Sequence, residues 1–319
     1  MAVKKIFVNL VFCLFISISC NSQKNRNEKE ELQGTLQNIK VLYQLGVLSK
    51  DAQKQFNTYG FEQIDFVDES CFFSKDKFIV DSVKLRSKIQ QIFPDAKKLG
   101  YAYINLESPY IELIRDKDAN DPEFKKSLAF FIQIIKICKQ ERPLIKWGFY
   151  AIPFTTFWEI YTGYFKKNDK IAALLKEVDV FYPSMYMFYD EDVDMIKSIG
   201  NDNYIEKNIE NSLSLSMKYK KPVFPFVLHR YHPSNAKVGW KQMNASKWGK
   251  YIADITSIEV NKKHVDGIVW WGADDFFYGR ADAPNITNEY RGSKKDYLDF
   301  NGRNLSKKAS EIIQNWNKK

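Results

Sequence analysis

Cysteine, histidine and glycine are all sparse in this chain. Four cysteines and three histidines in 319 residues make no disulfide framework, and no Cys/His group has the spacing of a zinc site. Neither a metal nor any other cofactor is expected. The fourteen glycines never cluster into a phosphate-cradling loop behind a strand, which removes the usual sign of a nucleotide-binding open sheet. Past the N-terminus no apolar run reaches the roughly 20 residues that a spanning helix needs. There is no low-complexity tract or internal repeat, and no pattern of a nucleic-acid module.

What is present starts at the N-terminus. "MAVKKIFVNLVFCLFISISC" sets Lys4 and Lys5 before an apolar stretch from Ile6 to Ile18, then Ser19 and Cys20. That is the layout of a secretory signal, residues 1–20. The Cys behind a small residue matches a bacterial lipobox, with Ser17 where Leu is commoner. Cys20 is thus the expected lipidation site and mature N-terminus, which predicts a lipid-anchored protein of the bacterial cell envelope, on an outer membrane. Residues 21–34, "NSQKNRNEKEELQG", are polar and charged and read as a flexible tether. Of the remaining cysteines, Cys138 falls on the apolar stripe of Leu128, Phe131 and Ile135, where a buried inert thiol is expected. The formal net charge of +9 includes the two signal lysines and fits either an acidic polymer partner or plain solvated faces.

From residue 35 to 319 a single domain is expected. Short apolar runs at 39–45, 62–67, 99–106, 145–150, 178–182, 222–228 and 266–271 alternate with amphipathic segments near 82–92, 122–141, 168–177, 203–219 and 245–262. Asp121 can cap the second of these, with Pro122 at its first position and Glu123 at the positive helix end. Strand and helix recurring about every forty residues predict parallel strands with crossover helices. Seven or eight such units close into a distorted (β/α) TIM-type barrel; a doubly wound sheet is the alternative.

A barrel places its active site at the carboxyl ends of its strands. Reading those ends alone gives Asn105 and Glu107, Tyr150, Tyr182 and Tyr186, His229 and Tyr231, Trp271, Asp274 and Asp275. Aromatic and polar groups around an acid suit a sugar. Asn105 and Glu107 share strand parity, with Cα atoms roughly 6.6 Å apart at about 3.3 Å per residue. Glycosidases usually pair two carboxylates, but here the partner is an amide, which fits the substrate-assisted exception in which the sugar's own N-acetyl group attacks. Asp274 and Asp275 read as a second acid or a loop cap, with structure or sugar binding the favoured roles.

Three segments resemble the hyaluronidases of glycoside hydrolase family 56: "YINLES", "ERPLIKWGFYAIP" and "NDKIAALLKEVDVFYPSMYM". "KPVFPFVLHRYH" and "DGIVWWGADD" follow in the right order, so the resemblance runs from about residue 99 to 276. It implies a distorted barrel and substrate-assisted, retaining cleavage of hyaluronan or chondroitin. Carried over, Glu107 is the acid/base, Asn105 holds the acetamide, Tyr186 contacts the reacting sugar, and Trp271 walls the acetamide pocket. Tyr150, Tyr182, His229, Tyr231 and Asp274 are the expected further substrate contacts. The chain departs from the family pattern at Asn105, where the family has Asp; at Thr156, where it has Tyr; and in lacking the disulfide cysteines of the animal enzymes. The endo-N-acetylglucosaminidases of family 85 use an Asn-x-Glu pair of this kind. The expectation is a monomeric glycosidase acting on an acidic, N-acetylhexosamine-containing polysaccharide. Its alternatives are a non-catalytic glycan-binding lipoprotein, and a lyase using His229 and Tyr231.

Overall fold

The computed structural model describes residues 39–74, 77–192 and 199–316. The expected signal with Cys20 and the expected tether lie outside the described residues. Seven strands are formed: β1 Lys40–Gln44, β2 Glu62–Gln63, β3 Asp65–Val67, β4 Gly100–Ile104, β5 Ile145–Phe149, β6 Phe226–Leu228 and β7 Gly267–Trp271. Every strand pair is parallel. They form two sheets, ordered β2-β1-β7-β6 and β3-β4-β5.

Hydrogen bonds outside the regular ladders join those sheets into a ring. Ile64, between β2 and β3, donates to the Tyr43 carbonyl at 3.0 Å, so one bent segment serves β1 with its first half and β4 with its second. On the far side residues 178–185 stand in as a further strand. Asp179 donates to Trp147 at 2.7 Å, and Met185 donates to Phe226 at 2.9 Å. Isolated bridges pair Tyr150 with Tyr182 and Ser184 with Phe226. The circuit therefore runs β1, β2–β3, β4, β5, 178–185, β6, β7 and back to β1, on the segments where the sequence places strands. All strands run one way, so the chain enters at one end of the barrel and every strand's carboxyl end gathers at the other.

The helices are α1 Lys50–Thr58, α2 Ser82–Ile92, α3 Tyr110–Asp116, α4 Pro122–Glu141, α5 Lys167–Lys170, α6 Ala172–Glu177, α7 Gly200–Tyr219, α8 Ala245–Ser257, α9 Asp274–Phe277, α10 Pro284–Asn288 and α11 Lys294–Trp316. The caps are those the side chains dictate. Asp121 accepts from the Glu123 backbone at 2.7 Å, and Asn244 accepts from that of Lys247 at 2.8 Å, each satisfying an otherwise orphaned helical donor.

Period-two alternation splits the core into two. Leu42, Ile64, Tyr103, Val180, Phe224, Phe226, Leu228 and Val269 form one cluster, the barrel interior. Val41, Ala102, Ile104, Trp147, Phe149, Val227, Ile268 and Trp270 face the other way, into the larger cluster shared with the helices. The interior is crowded with aromatic rings, and two glycines make room for them. A Cβ on Gly148 would lie 2.3 Å from the Val180 carbonyl and 2.9 Å from the Tyr182 ring; one on Gly267 would lie 2.1 Å from the Lys40 carbonyl. Cys138 is fully buried and free, as its helical stripe predicts.

Candidate active site

β4 decides the placement of Glu107. Tyr101 and Tyr103 point into the barrel, so Asn105 does too, one layer higher, and Glu107 follows beyond the strand end. The ladder continues past the formal strand: Asn105 donates to the Val67 carbonyl at 2.8 Å, and Tyr150 donates to that of Ile104 at 3.1 Å. In a parallel ladder these bonds set Asp68, Asn105 and Tyr150 side by side in one row. The row below holds Phe66, Tyr103 and Gly148. Phe66 and Tyr103 stack with ring centroids 4.9 Å apart.

Above that stack lies a cavity of about 310 Å³, at the small end of the roughly 300–1,000 Å³ usual for ligand sites. That size suits one sugar ring. Tyr103, Phe226 and Leu228 line its floor, and Tyr150, Tyr186 and Trp271 its walls; Asp68, Asn105, Glu107, His232 and Pro233 complete it. Tyr186 sits between Tyr150 at 5.8 Å and Trp271 at 5.9 Å, stacked on the latter. The Asn105 amide Nδ2 donates to Glu107 Oε1 at 3.0 Å, and the Glu107 backbone N–H donates to Glu69 Oε1 at the same distance. Burial raises the Glu69 carboxyl above its ordinary range; the Glu107 N–H opposes that rise, and the Glu107 charge adds to it. Burial likewise raises the phenols of Tyr103, Tyr150 and Tyr186; neighbouring phenols add to the rise at Tyr103 and Tyr186, whereas at Tyr150 hydrogen bonds to Ser184 and Tyr186 oppose it and the Glu107 charge adds to it. They act as neutral donors. Burial pushes the His232 imidazole down to about 4.

Glu107 and Tyr150 also line a second recess of about 230 Å³, together with Glu112, Arg115, Thr155, Tyr164 and Ser184. The acid therefore stands on the ridge between two recesses. A more open hollow of about 610 Å³ runs along α1 past Lys50, Gln53 and Asn57. It lies on the outer helix layer and has no convergent acid.

Five of the residues expected from the sequence meet in this cavity: Asn105, Glu107, Tyr150, Tyr186 and Trp271. Four do not line it. Tyr182 is wholly buried lower in the barrel, against Tyr103 and Phe226. His229 and Tyr231 are displaced by the same alternation that builds the floor: with Phe226 and Leu228 inward, Val227 and His229 face the helices. His229 receives the Trp270 indole N–H on Nδ1 at 3.1 Å and bonds Asp274 through Nε2 at 2.8 Å. Both ring nitrogens are thus occupied, and burial lowers its pKa despite Asp274. A lyase base at His229 is accordingly out of place. Tyr231 lies beside Asp190 and Lys247, its phenol raised to about 12 by burial and by the Asp190 charge.

Asp274 is a structural anion, not a sugar ligand. It is fully buried and bonded to His229, to Arg230 and, at 3.2 Å, to Asn301. Burial opposes its charge, but Arg230 and His229 hold its carboxyl far below the usual range. Asp275 accepts from the Val47 backbone at 3.3 Å, a loop cap. Thr156 lines neither recess; its backbone is clamped by Asn208 and its neighbour Thr155 faces the second recess. The sequence reading missed Asp68 and His232. Extending the parity Ile64–Phe66–Asp68 upward finds the first; His232 lies past the end of β6, beyond an Arg230 that turns away to Asp274, and no strand parity reaches it.

Comparison with known proteins agrees with the fold. The hyaluronidase model of glycoside hydrolase family 56 matches residues 91–297, well over half of the chain. A hyaluronidase of Apis mellifera is 22% identical over 192 residues, 56% of this chain and 46% of that protein. Hyaluronidase-2 of Bos taurus is 24% identical over 185 residues, 53% of this chain and 34% of that protein. The chain thus spans less than half the length of these curated relatives. A monoclinic crystal structure of bee venom hyaluronidase superposes with a TM-score of 0.58 at 16% identity, covering 84% of this chain and 99% of that one. Bee venom hyaluronidase in complex with a hyaluronic acid tetramer gives 0.57 at 16% identity, covering 82% and 98%. These structures share the TIM-type barrel fold with this protein. On the family match the chain belongs to the hyaluronidase family, glycoside hydrolase family 56.

Proposed function

We propose that this protein is a retaining glycosidase that cuts a polysaccharide containing N-acetylhexosamine, of the hyaluronan or chondroitin kind, with Glu107 as acid/base. The observation that carries the reading is the position of Glu107 on the ridge between two recesses, held by Asn105 and Glu69. A bond between two sugars lying in those recesses passes the acid. The larger recess, walled by Tyr150, Tyr186 and Trp271, takes the N-acetylated ring.

In the first step the acetamide oxygen attacks the anomeric carbon while the bond to the leaving oxygen breaks, and the Glu107 carboxyl gives that oxygen its proton. The cyclic oxazolinium is then opened by water, whose proton returns to the Glu107 carboxylate. Asn105 can accept the acetamide N–H on Oδ1 while Nδ2 holds Glu107. Among the described residues no Lys or Arg lines the larger recess, which suits an uncharged amino sugar there. Arg115 lines the second recess, where the uronate of an alternating polymer would fall. The bee venom complex with a hyaluronic acid tetramer supports a substrate of this kind. Anchoring through a lipid on Cys20 in a bacterial envelope belongs to the same proposal.

The test is hydrolysis of a glycosaminoglycan and amino-sugar polymer panel by the purified protein and by Glu107→Gln, with products read by mass spectrometry. The variant should fold like wild type and lose roughly 10²–10⁴-fold in turnover. Undiminished hydrolysis by Glu107→Gln sinks the mechanism. Polymer bound but never cut by wild type would instead make this a glycan-binding protein.

A further inference from the structure

The site lacks the charge its chemistry calls for. An oxazolinium carries a full positive charge, and the residue beside its acetamide, Asn105, is neutral. The barrel supplies a carboxylate one strand away. The β3–β4 register pairs Phe66 with Tyr103 and Val67 with Ile104, and the Asn105-to-Val67 bond of 2.8 Å carries it one step further. Asp68 is therefore the lateral neighbour of Asn105, about 4.8 Å away across the ladder. By parity it lies on the same inner face as Phe66. Asp68 and Asn105 line the same cavity as Glu107 and Trp271.

We propose that Asp68 carries the negative charge set against the cationic intermediate, and that Asn105 is left to hold the acetamide and orient Glu107. This rests on the glycosidase reading above. As the acetamide oxygen bonds to the anomeric carbon and the leaving oxygen departs with the Glu107 proton, positive charge spreads over the acetamide C–N group. The Asp68 carboxylate, in the same row as the amide that holds that group, stabilises it until water restores the acetamide. No proton needs to pass to Asp68. A division of labour follows: what one Asp does in the resembled motif is shared here between two residues on adjacent strands.

Asp68 also opens a short 3-10 turn, Glu69–Cys71. Its Oδ1 accepts from the Ser70 N–H at 3.0 Å, the Ser70 hydroxyl, and the Cys71 thiol at 3.5 Å. All three contacts use Oδ1. Asn is as good a cap as Asp, so Asp68→Asn removes the charge and keeps the turn.

The experiment compares wild type, Asp68→Asn, and the relocated pair Asp68→Asn with Asn105→Asp. It reads kcat on an N-acetylated polymer, and calorimetric binding of N-acetylglucosamine thiazoline, a stable bicyclic mimic of the intermediate. Asp68→Asn should lower kcat by roughly 10²–10³-fold, the scale of a lost electrostatic stabiliser, and weaken thiazoline at least tenfold. Moving the carboxylate to position 105 should recover at least tenfold of each, which a purely structural role for Asp68 would not allow. Asp68→Asn within threefold of an active wild type overturns the proposal and leaves the glycosidase reading standing. A relocated pair no better than Asp68→Asn also overturns it. A wild type that cuts no polymer, yet binds thiazoline in an Asp68-dependent way, ends the hydrolase reading and the catalytic role of Asp68 with it, and leaves Asp68 as a ligand-binding carboxylate. No binding and no turnover ends both.

Discussion

At the scale of single residues, the site was legible where side-chain type and strand parity agreed, and illegible where parity had to be counted from the floor up. Asn105, Glu107, Tyr186 and Trp271 stand at strand ends in motifs that announce them. His229 follows its run at a parity that the run alone does not assign to a face; Phe226 and Leu228, which turn inward, send it to the helices. His232, four residues past the end of β6, is the histidine in the cavity. Its imidazole, normally near 6.5, is pushed down to about 4 by burial. Between those two pH values the unfolded chain binds more protons than the folded one, so stability should fall as pH drops from about 6.5 to about 4. Buried His229 adds to the same slope. An NMR titration should find His232 changing near pH 4, and His232→Gln should flatten the pH dependence of the urea midpoint. A His232 midpoint above 6 would contradict its burial. Asp274 gives the opposite kind of test. Asp274→Asn breaks a buried ion pair, which costs about 3–5 kcal/mol. It should lower the urea midpoint strongly and leave KM for polymer nearly unchanged in the fraction still folded. A raised KM at unchanged stability would return Asp274 to the substrate.

At the scale of elements, β5, β6 and β7 were readable because parallel strands buried on both faces show as short apolar runs, whereas the run 62–67 divides into β2, with Glu62 and Gln63 exposed, and β3. The missed elements have physical reasons. α11, the longest helix, buries Asn301 and Lys308 along with Leu305, Ala309, Ile312 and Trp316, so its apolar stripe is broken by polar letters. Those letters have tertiary partners, Asp274 for Asn301 and Gln242 for Lys308, which no local pattern reveals. Gly302 looks like a helix breaker, yet a Cβ there would lie 2.2 Å from the Ser49 hydroxyl just before α1. The glycine is a contact point between the chain's two ends. Gly148 shows the same rule within β5. Gly148→Ala should destabilise by about 1–3 kcal/mol through overpacking, because its methyl group meets the Val180 carbonyl and the Tyr182 ring. Chemical denaturation measures this. A neutral result would mean that the barrel interior is looser than these distances imply.

At the scale of the whole molecule, parallel strands with crossover helices follow from alternation alone, but the ring's closure does not. It depends on the bend at Ile64 and on residues 178–185, which pair by scattered bonds rather than a regular ladder. The proposed anchor is tested here too. Cys20→Ser should move the protein from the membrane fraction to the soluble fraction of cells, since residues 21–34 carry no second anchor. Retention in the membrane would refute the lipoprotein reading. The common direction of the strands then has a geometric consequence for such an anchored protein. The described chain enters the barrel at Ile39, beside the amino end of β1, and the acid ridge stands at the carboxyl ends, one strand length of roughly 17 Å away. In such a molecule the tether joins the barrel at the end opposite the acid ridge. In that case a polymer can reach the ridge without passing the point of attachment.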